Sequence, residues 1–189
     1  LPQHRNFAWL VASGLMFQAG IAVVVTLSAI YAEQAMGFGA DEIIFMVLIV
    51  NITAAIGAFV FGYVEDRIGH KMALIVTLLI WIAMIGVAYV SETKAMFWVA
   101  ANLAGIAMGS CQSAGRALVG VLAPKDKSAA FYSFWNIALW VSNIVGPMTY
   151  GVMTWVSDND HRFAMLVTGM YFVIGLVLLL PMNLKKELR

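Results

Sequence analysis

Six long, nearly uncharged stretches constrain this chain more than any motif within it. They cover residues 6–32, 42–64, 72–90, 95–118, 128–156 and 162–181, and a membrane-spanning helix needs about 20 predominantly apolar residues. The joints between them carry nearly all the charge: Glu33 to Glu42, Glu65 to Lys71, Ser91 to Lys94, Pro124 to Lys127 and Ser157 to Arg162. Composition agrees, with 62% hydrophobic and 11% charged residues, against about 45–50% and about 25% in soluble domains. So much apolar surface needs lipid to face. The expected fold class is an all-α membrane protein, a single bundle of six transmembrane helices over residues 1–189.

Orientation follows from Lys and Arg. With the N-terminal side taken as inside, nine of the eleven basic residues fall there: Arg5, Arg67, Lys71, Arg116, Lys125, Lys127, Lys185, Lys186 and Arg189. Lys94 and Arg162 fall outside, among Glu33, Asp41, Glu42, Glu92, Asp158 and Asp160. Both termini are therefore expected in the cytoplasm, in the cell (inner) membrane, with an even number of spans. The basic residues mark topology, and no nucleic-acid partner is implied. Cys111 stands alone in mid-helix, so neither a disulfide framework nor a cysteine metal site is expected. The first apolar stretch is too long for a signal peptide. The chain opens at Leu1 without an initiator Met, and it is expected to be a fragment or half of something longer.

The six stretches differ in polarity. The third and sixth carry few hydrogen-bonding side chains, whereas the first, second, fourth and fifth carry Gln18, Asn51, Asn102, Gln112, Asn136 and Asn143. An amide at membrane depth needs a partner or a wet cavity. Helices one, two, four and five are expected to line an interior, with three and six as lipid-facing scaffold. A division that repeats every three helices is what a 3+3 inverted repeat would give.

Helical spacing adds three stripes. Asn51, Ala55, Ala58 and Gly62 form a small-residue stripe read as close helix packing. Asn102, Gly105, Gly109, Gln112 and Arg116 share one face, as do Tyr132, Asn136, Trp140, Asn143, Pro147 and Tyr150. These two faces fit either cavity lining or interhelical hydrogen bonding. Arg116, near the inner end of its helix, either snorkels to the interface or meets an anionic solute. Gly146-Pro147 lies inside the fifth stretch, where proline removes a backbone bond and kinks a helix, as a static bend or a hinge.

The joint Gly62-Tyr63-Val64-Glu65-Asp66-Arg67-Ile68-Gly69-His70-Lys71 resembles the signature loop of the major facilitator superfamily, G-x-x-x-D-R-x-G-R/H-R/K. Gly62, Asp66, Arg67, Gly69 and Lys71 fit, and His70 replaces the commoner basic residue. On physical grounds Gly62 lets another helix pass closely and Asp66 can cap a helix N-terminus. Gly69 permits the reversal, and Arg67 and Lys71 hold the loop at the inner surface. The resemblance implies that this loop gates the cytoplasmic side.

A second resemblance covers most of the chain. Met16-Phe17-Gln18-Ala19-Gly20, Gln112-Ser113-Ala114-Gly115-Arg116, Pro124-Lys125, Phe131 and Gly146-Pro147 are similar to the C-terminal half of the vacuolar-effluxer-like branch, which includes the autophagy-related amino-acid effluxers. It implies a twelve-helix parent that moves a small solute by alternating access, along a path lined here by Gln18, Asn51, Asn102, Gln112, Arg116, Asn136, Trp140 and Asn143. The branch usually reads aromatic-x-Asp-Gly where this chain has Phe17-Gln18-Ala19-Gly20, so the intramembrane carboxylate that proton coupling would use is missing. The partners implied are the lipid bilayer, a small-molecule substrate, and the other six-helix half or a second copy. A six-helix scaffold subunit without transport, and a half-size transporter acting as a homodimer, are the alternatives. No cofactor, metal ligand set, nucleophile elbow or phosphate loop points to an enzyme.

Overall fold

The computed structural model describes residues 5–158 and 160–183; Lys185, Lys186 and Arg189 of the charge count lie outside them. The described residues form six α-helices: α1 (Arg5–Met36), α2 (Ala40–Ile68), α3 (His70–Val90), α4 (Lys94–Leu122), α5 (Ser128–Val156) and α6 (His161–Leu179). Each expected stretch falls on a helix, the sixth ending at Leu179, two residues before the expected 181. α1, α2 and α4 continue about four residues past their apolar parts, because 29 to 32 residues reach about 44–48 Å and overshoot a hydrocarbon core of about 30 Å. By length and composition α1, α2, α3 and α6 can each cross a bilayer. α4 and α5 fall short of that measure, since they carry Asn102, Gln112, Arg116, Asn136 and Asn143.

Local chemistry sets the ends. Glu42 accepts from the Gly39 N–H at 2.8 Å, an acid placed where the α2 dipole is positive. Thr93 caps α4 by accepting from Met96 N, and Asp160 caps α6 by accepting from Phe163 N. Gly69 turns the chain between α2 and α3 at φ 84°, a conformation that side chains resist. The tight reversal expected at Gly69 is present.

The helices lie in two layers. In front the order is α2–α4–α1–α5; behind, α3 backs α4 and α6 backs α1, and α3 and α6 meet each other. α1 and α4 are thus the most enclosed helices and α2 and α5 the edges. α3 and α6 expose apolar side chains such as Leu79, Val90, Met170 and Val177 outward, as lipid-facing helices do. Among the described residues the amide-bearing helices do not close around an interior. They form one open face of the bundle.

Close backbone approach holds each edge helix. A Cβ on Gly57 would lie 2.6 Å from the Ile106 carbonyl oxygen, and one on Gly109 would overlap the Ala54 carbonyl, so α2 and α4 cross backbone to backbone. At the other edge a Cβ on Gly146 would overlap the Ala19 carbonyl, joining α5 to α1. This corrects two expectations. The α2 residues facing α4 are Val50, Thr53, Ala54, Gly57 and Ala58, while Asn51 and Ala55 are exposed and a Cβ on Gly62 would meet nothing within 4 Å. On α4, Gly105 and Gly109 serve this crossing.

The back layer contains a repeat that the stripes above do not capture. His70-Lys71-Met72-Ala73-Leu74-Ile75-Val76-Thr77 opens α3, and His161-Arg162-Phe163-Ala164-Met165-Leu166-Val167-Thr168 opens α6. In the same register Trp81 corresponds to Phe172, and those two rings stack on each other with centroids 4.9 Å apart and planes 6° apart. Thr77 and Thr168 both return a hydrogen bond to the carbonyl four residues before, Ala73 and Ala164.

Gly109→Ala tests the α2–α4 crossing. Overfilling a tight contact typically destabilises by about 1–3 kcal/mol, so the variant should lower the thermal midpoint of the purified protein by several degrees. Gly86→Ala, where a Cβ meets nothing within 4 Å, should leave it in place; equal midpoints for both would remove the crossing from the account.

Candidate transport face and inner loop

Helical phase decides which side chains reach the open face. Ser110 of α4 points back to α3, where its Oγ lies 3.3 Å from Thr77 Oγ1. Gln112 lies two residues on, about 200° round the helix, and turns forward to α1. There its Nε2 donates to Gln18 Oε1 at 3.5 Å, bridging α4 to α1 at the centre of the front layer. Gln18 is buried and Gln112 half-buried. On α1, Ser13 donates back to the Gly175 carbonyl of α6, and the Leu15 carbonyl accepts from Ser142 of α5.

The edge helices complete this face. On α5 the buried line Trp135, Ala138, Ser142, Gly146 and Tyr150 packs inward, which leaves Asn136, Trp140 and Asn143 exposed, Trp140 by 73%. Tyr132 of the same stripe donates to the Arg116 carbonyl at 3.2 Å, and the Arg116 guanidinium is exposed. On α2, exposed Asn51 donates to the Val47 carbonyl of its own helix. Asn102, half-buried on the side of α4 that carries Gly105 and Gly109, donates to its own Trp98 carbonyl. Of the eight residues expected on a solute path, Gln18 and Gln112 are brought together, while Asn51 and Asn102 satisfy themselves locally. Both amide stripes thus resolve in part into hydrogen bonding, and Asn136, Trp140 and Asn143 stay exposed.

Between α1, α2 and α4 at the end bearing the α1–α2 joint lies an apolar cleft of about 190 Å³. Val25, Val47 and Asn51 form its exposed rim, and Trp81 and Met84 of α3 close it at depth.

The inner loop departs from its expected roles. Asp66 and Arg67 are exposed and make no hydrogen bond or ion pair among the described residues. Asp66 caps nothing here, because Gly69 is the N-cap of α3. The buried carboxylate is its neighbour Glu65, 6% exposed and 2.6 Å from His70 Nδ1. In the sequence Glu65 belongs only to the charged joint between the second and third stretches; its five-residue spacing to His70 across Gly69 is the signal of the pairing. Lys71 does hold the loop, through an unforeseen target. Its Nζ donates to the carbonyls of Leu180 and Met182 at 2.8 and 2.6 Å, past the end of α6. Asn6 and Asn183 close the same corner by exchanging two hydrogen bonds of 2.9 and 3.1 Å.

At the opposite end the arrangement is mirrored. Arg162, second residue of α6, donates to the Ser91 carbonyl at the end of α3 at 2.9 Å, and His161 Nδ1 lies 3.0 Å from the hydroxyl of Tyr150 on α5. α3 and α6 are the shortest helices, with 21 and 19 residues or about 32 and 28 Å. Their last carbonyls therefore lie near the hydrocarbon boundary, where an uncapped C-terminus is costly. Each is capped by a cation from the first turn of the other.

Comparison with known proteins bears on this arrangement. The family model described as vacuole effluxer Atg22 like matches residues 1–189. The chain belongs to that family. It is 25% identical over 181 residues to the uncharacterized MFS-type transporter YxiO of Bacillus subtilis, covering 95% of this chain and 41% of that protein. It is 22% identical over 182 residues to autophagy-related protein 22 of Candida glabrata, covering 89% of this chain and 33% of the relative. A low-affinity glucose transporter, HXT4 of Saccharomyces cerevisiae, is 27% identical over 119 residues, 62% of this chain and 21% of that protein. This member of the effluxer-like family is an integral membrane protein, and it spans less than half the length of these relatives.

The reciprocal caps predict a symmetric loss. Lys71→Met and Arg162→Met should each destabilise by about 1 kcal/mol, the usual scale for a charge-assisted bond at a helix end. Because the two sites lie at opposite ends, the double variant should lose the sum within about 0.5 kcal/mol. Thermal unfolding of the three variants in detergent checks it; an unshifted Lys71→Met midpoint would show that the cap carries no stability.

Proposed function

We propose that this bundle is one six-helix half of a twelve-helix transporter that moves a small solute by alternating access. The observation that supports the reading is the front layer α2–α4–α1–α5, with Gln18 and Gln112 in contact at its centre and Asn136, Trp140 and Asn143 exposed on α5, in a family member that covers only 41% and 33% of two relatives. The solute path runs along that face, and Asn51, Asn102 and Arg116 border it. The remainder of the longer chain covers it. A second copy of this bundle is the competing occupant, and a molecular mass measured in detergent separates the two.

Support for a 3+3 inverted repeat comes from paired features three helices apart. α1 meets α5 and α6 as α4 meets α2 and α3. Gly146 at one edge and Gly57 at the other are the close-approach glycines, and Trp81 stacks on its register equivalent Phe172. The basic-residue asymmetry supports cytoplasmic termini in the cell membrane. The inner loop gates: Gly62, Asp66 and Arg67 face away from this bundle toward the other half, while Gly69, His70 and Lys71 anchor the loop to α2, α3 and α6. Gly146 and Pro147 are the hinge of α5.

Reconstitution of the full-length protein in proteoliposomes tests this. Flux of at least one solute from a panel of amino acids and sugars is expected. Asp66→Asn should slow it about tenfold, since one charge-assisted hydrogen bond of about 1.5 kcal/mol would be lost from one gated state. A full-length protein that folds, stays in its membrane and carries nothing across that panel would favour a scaffold role instead. Wild-type flux in Asp66→Asn would remove the gating role from the loop.

A further inference from the structure

Resting on the gating role of the inner loop, we propose that Glu65 and His70 form a regulatory proton-binding site. A proton taken up on His70 tightens a clasp across the α2–α3 reversal and raises flux as the loop side turns acidic. One residue builds both arms of the clasp. The Glu65 carbonyl accepts from the Gly69 N–H at 2.8 Å, and its carboxylate lies 2.6 Å from Nδ1 of His70, the first residue of α3. Asp66 and Arg67 follow directly and are exposed, so the clasp holds the turn that carries them.

The chemistry makes this hold conditional. An ionised carboxylate only accepts, so Nδ1 carries the hydrogen between them, in a neutral ring as in an imidazolium. A neutral ring leaves the buried negative charge without a counter-charge, which is costly, whereas the imidazolium supplies one. Glu65 is 6% exposed and the His70 side chain 36%, so the acid is withdrawn from water while the ring stays open to a proton. Histidine is the side chain that changes charge between about pH 5 and 8.

No other group takes over the role. The remaining charges at the inner ends of the packed helices are Asp66 and Arg67 on α2, Lys71 on α3, Arg116 on α4 and Arg5 on α1, and α6 carries none from Phe163 to Leu179. Among the described residues none of them bonds to Glu65 or His70, and Lys71 is turned to the carbonyls of Leu180 and Met182. The other end of the bundle supplies a control. His161 opens α6 as His70 opens α3, but its Nδ1 lies 3.0 Å from the Tyr150 hydroxyl, a partner that offers a proton no opposite charge.

Flux of the reconstituted full-length protein against loop-side pH tests the site. From about pH 8 to about pH 6 wild-type flux should rise about fivefold, the ratio that one strengthened hydrogen bond gives. His70→Gln and Glu65→Gln should be flat over this range, and His161→Gln should keep the rise. His70→Arg, whose charge is permanent, should be flat at the rate the wild type reaches in acid. A second readout needs no flux: the thermal midpoint of the wild type relative to His70→Gln should climb by about 2 °C on the same acidification. A relative midpoint that does not change with pH, or a flux rise that survives in His70→Gln or Glu65→Gln, would overturn the proton site. Should His70→Gln not fold, a flux rise that persists in His70→Arg overturns it equally. A midpoint response with pH-independent flux removes the regulatory role, and a midpoint response with no flux at all counts against the transport reading alone.

Discussion

In a bilayer two helices gain little by hiding apolar side chains from water, because lipid already does so. Association then depends on close packing and on hydrogen bonds made across the seam. This bundle meets that constraint at two crossings, Gly57 and Gly109 between α2 and α4 and Gly146 between α1 and α5, where backbones touch. Those crossings set the front layer. They dictate which stripe of α2 and of α5 faces inward, and therefore which amides are left on the open side.

The back layer is held differently. α3 and α6 are nearly devoid of amides and too short for their ends to clear the hydrocarbon comfortably. Their stability rests on one aromatic stack at the middle and a cation at each end. Lys71 belongs at once to this clamp and to the inner loop. The loop is thereby tied to α6 and to the corner where Asn6 meets Asn183.

Much of this was legible from residues. Apolar run length located all six helices, since hydrophobicity and helix geometry both scale with bilayer thickness. Gly69 was readable because only a reversal needs its backbone. The facing of stripes was harder. A stripe of small residues states that something approaches closely without saying from which side, and Asn51–Gly62 lies one step round from the true contact at Ala54 and Gly57. Glu65 was hidden by Asp66, whose place in the signature loop drew the functional reading away from its neighbour. The Lys71 and Arg162 caps were hidden because their acceptors are backbone carbonyls, which no side-chain pattern reports. The repeat of His-Lys/Arg before Ala and Thr in α3 and α6 was the one signal able to pair them.

The crossing at Gly146 also bears on why a carboxylate is missing from α1. Ala19 stands where the resemblance of this segment to the branch implies Asp, and it is fully buried with its carbonyl against Gly146. An ionised side chain at that point would need partners that the α1–α5 seam does not offer. Pro147 follows directly, and it leaves the Asn143 carbonyl without its usual helical donor. A bend at this point cannot move α5 alone, because the backbone of α1 lies in contact with the residue before the proline. The two helices would tilt together, carrying Gln18 along with Asn136 and Asn143.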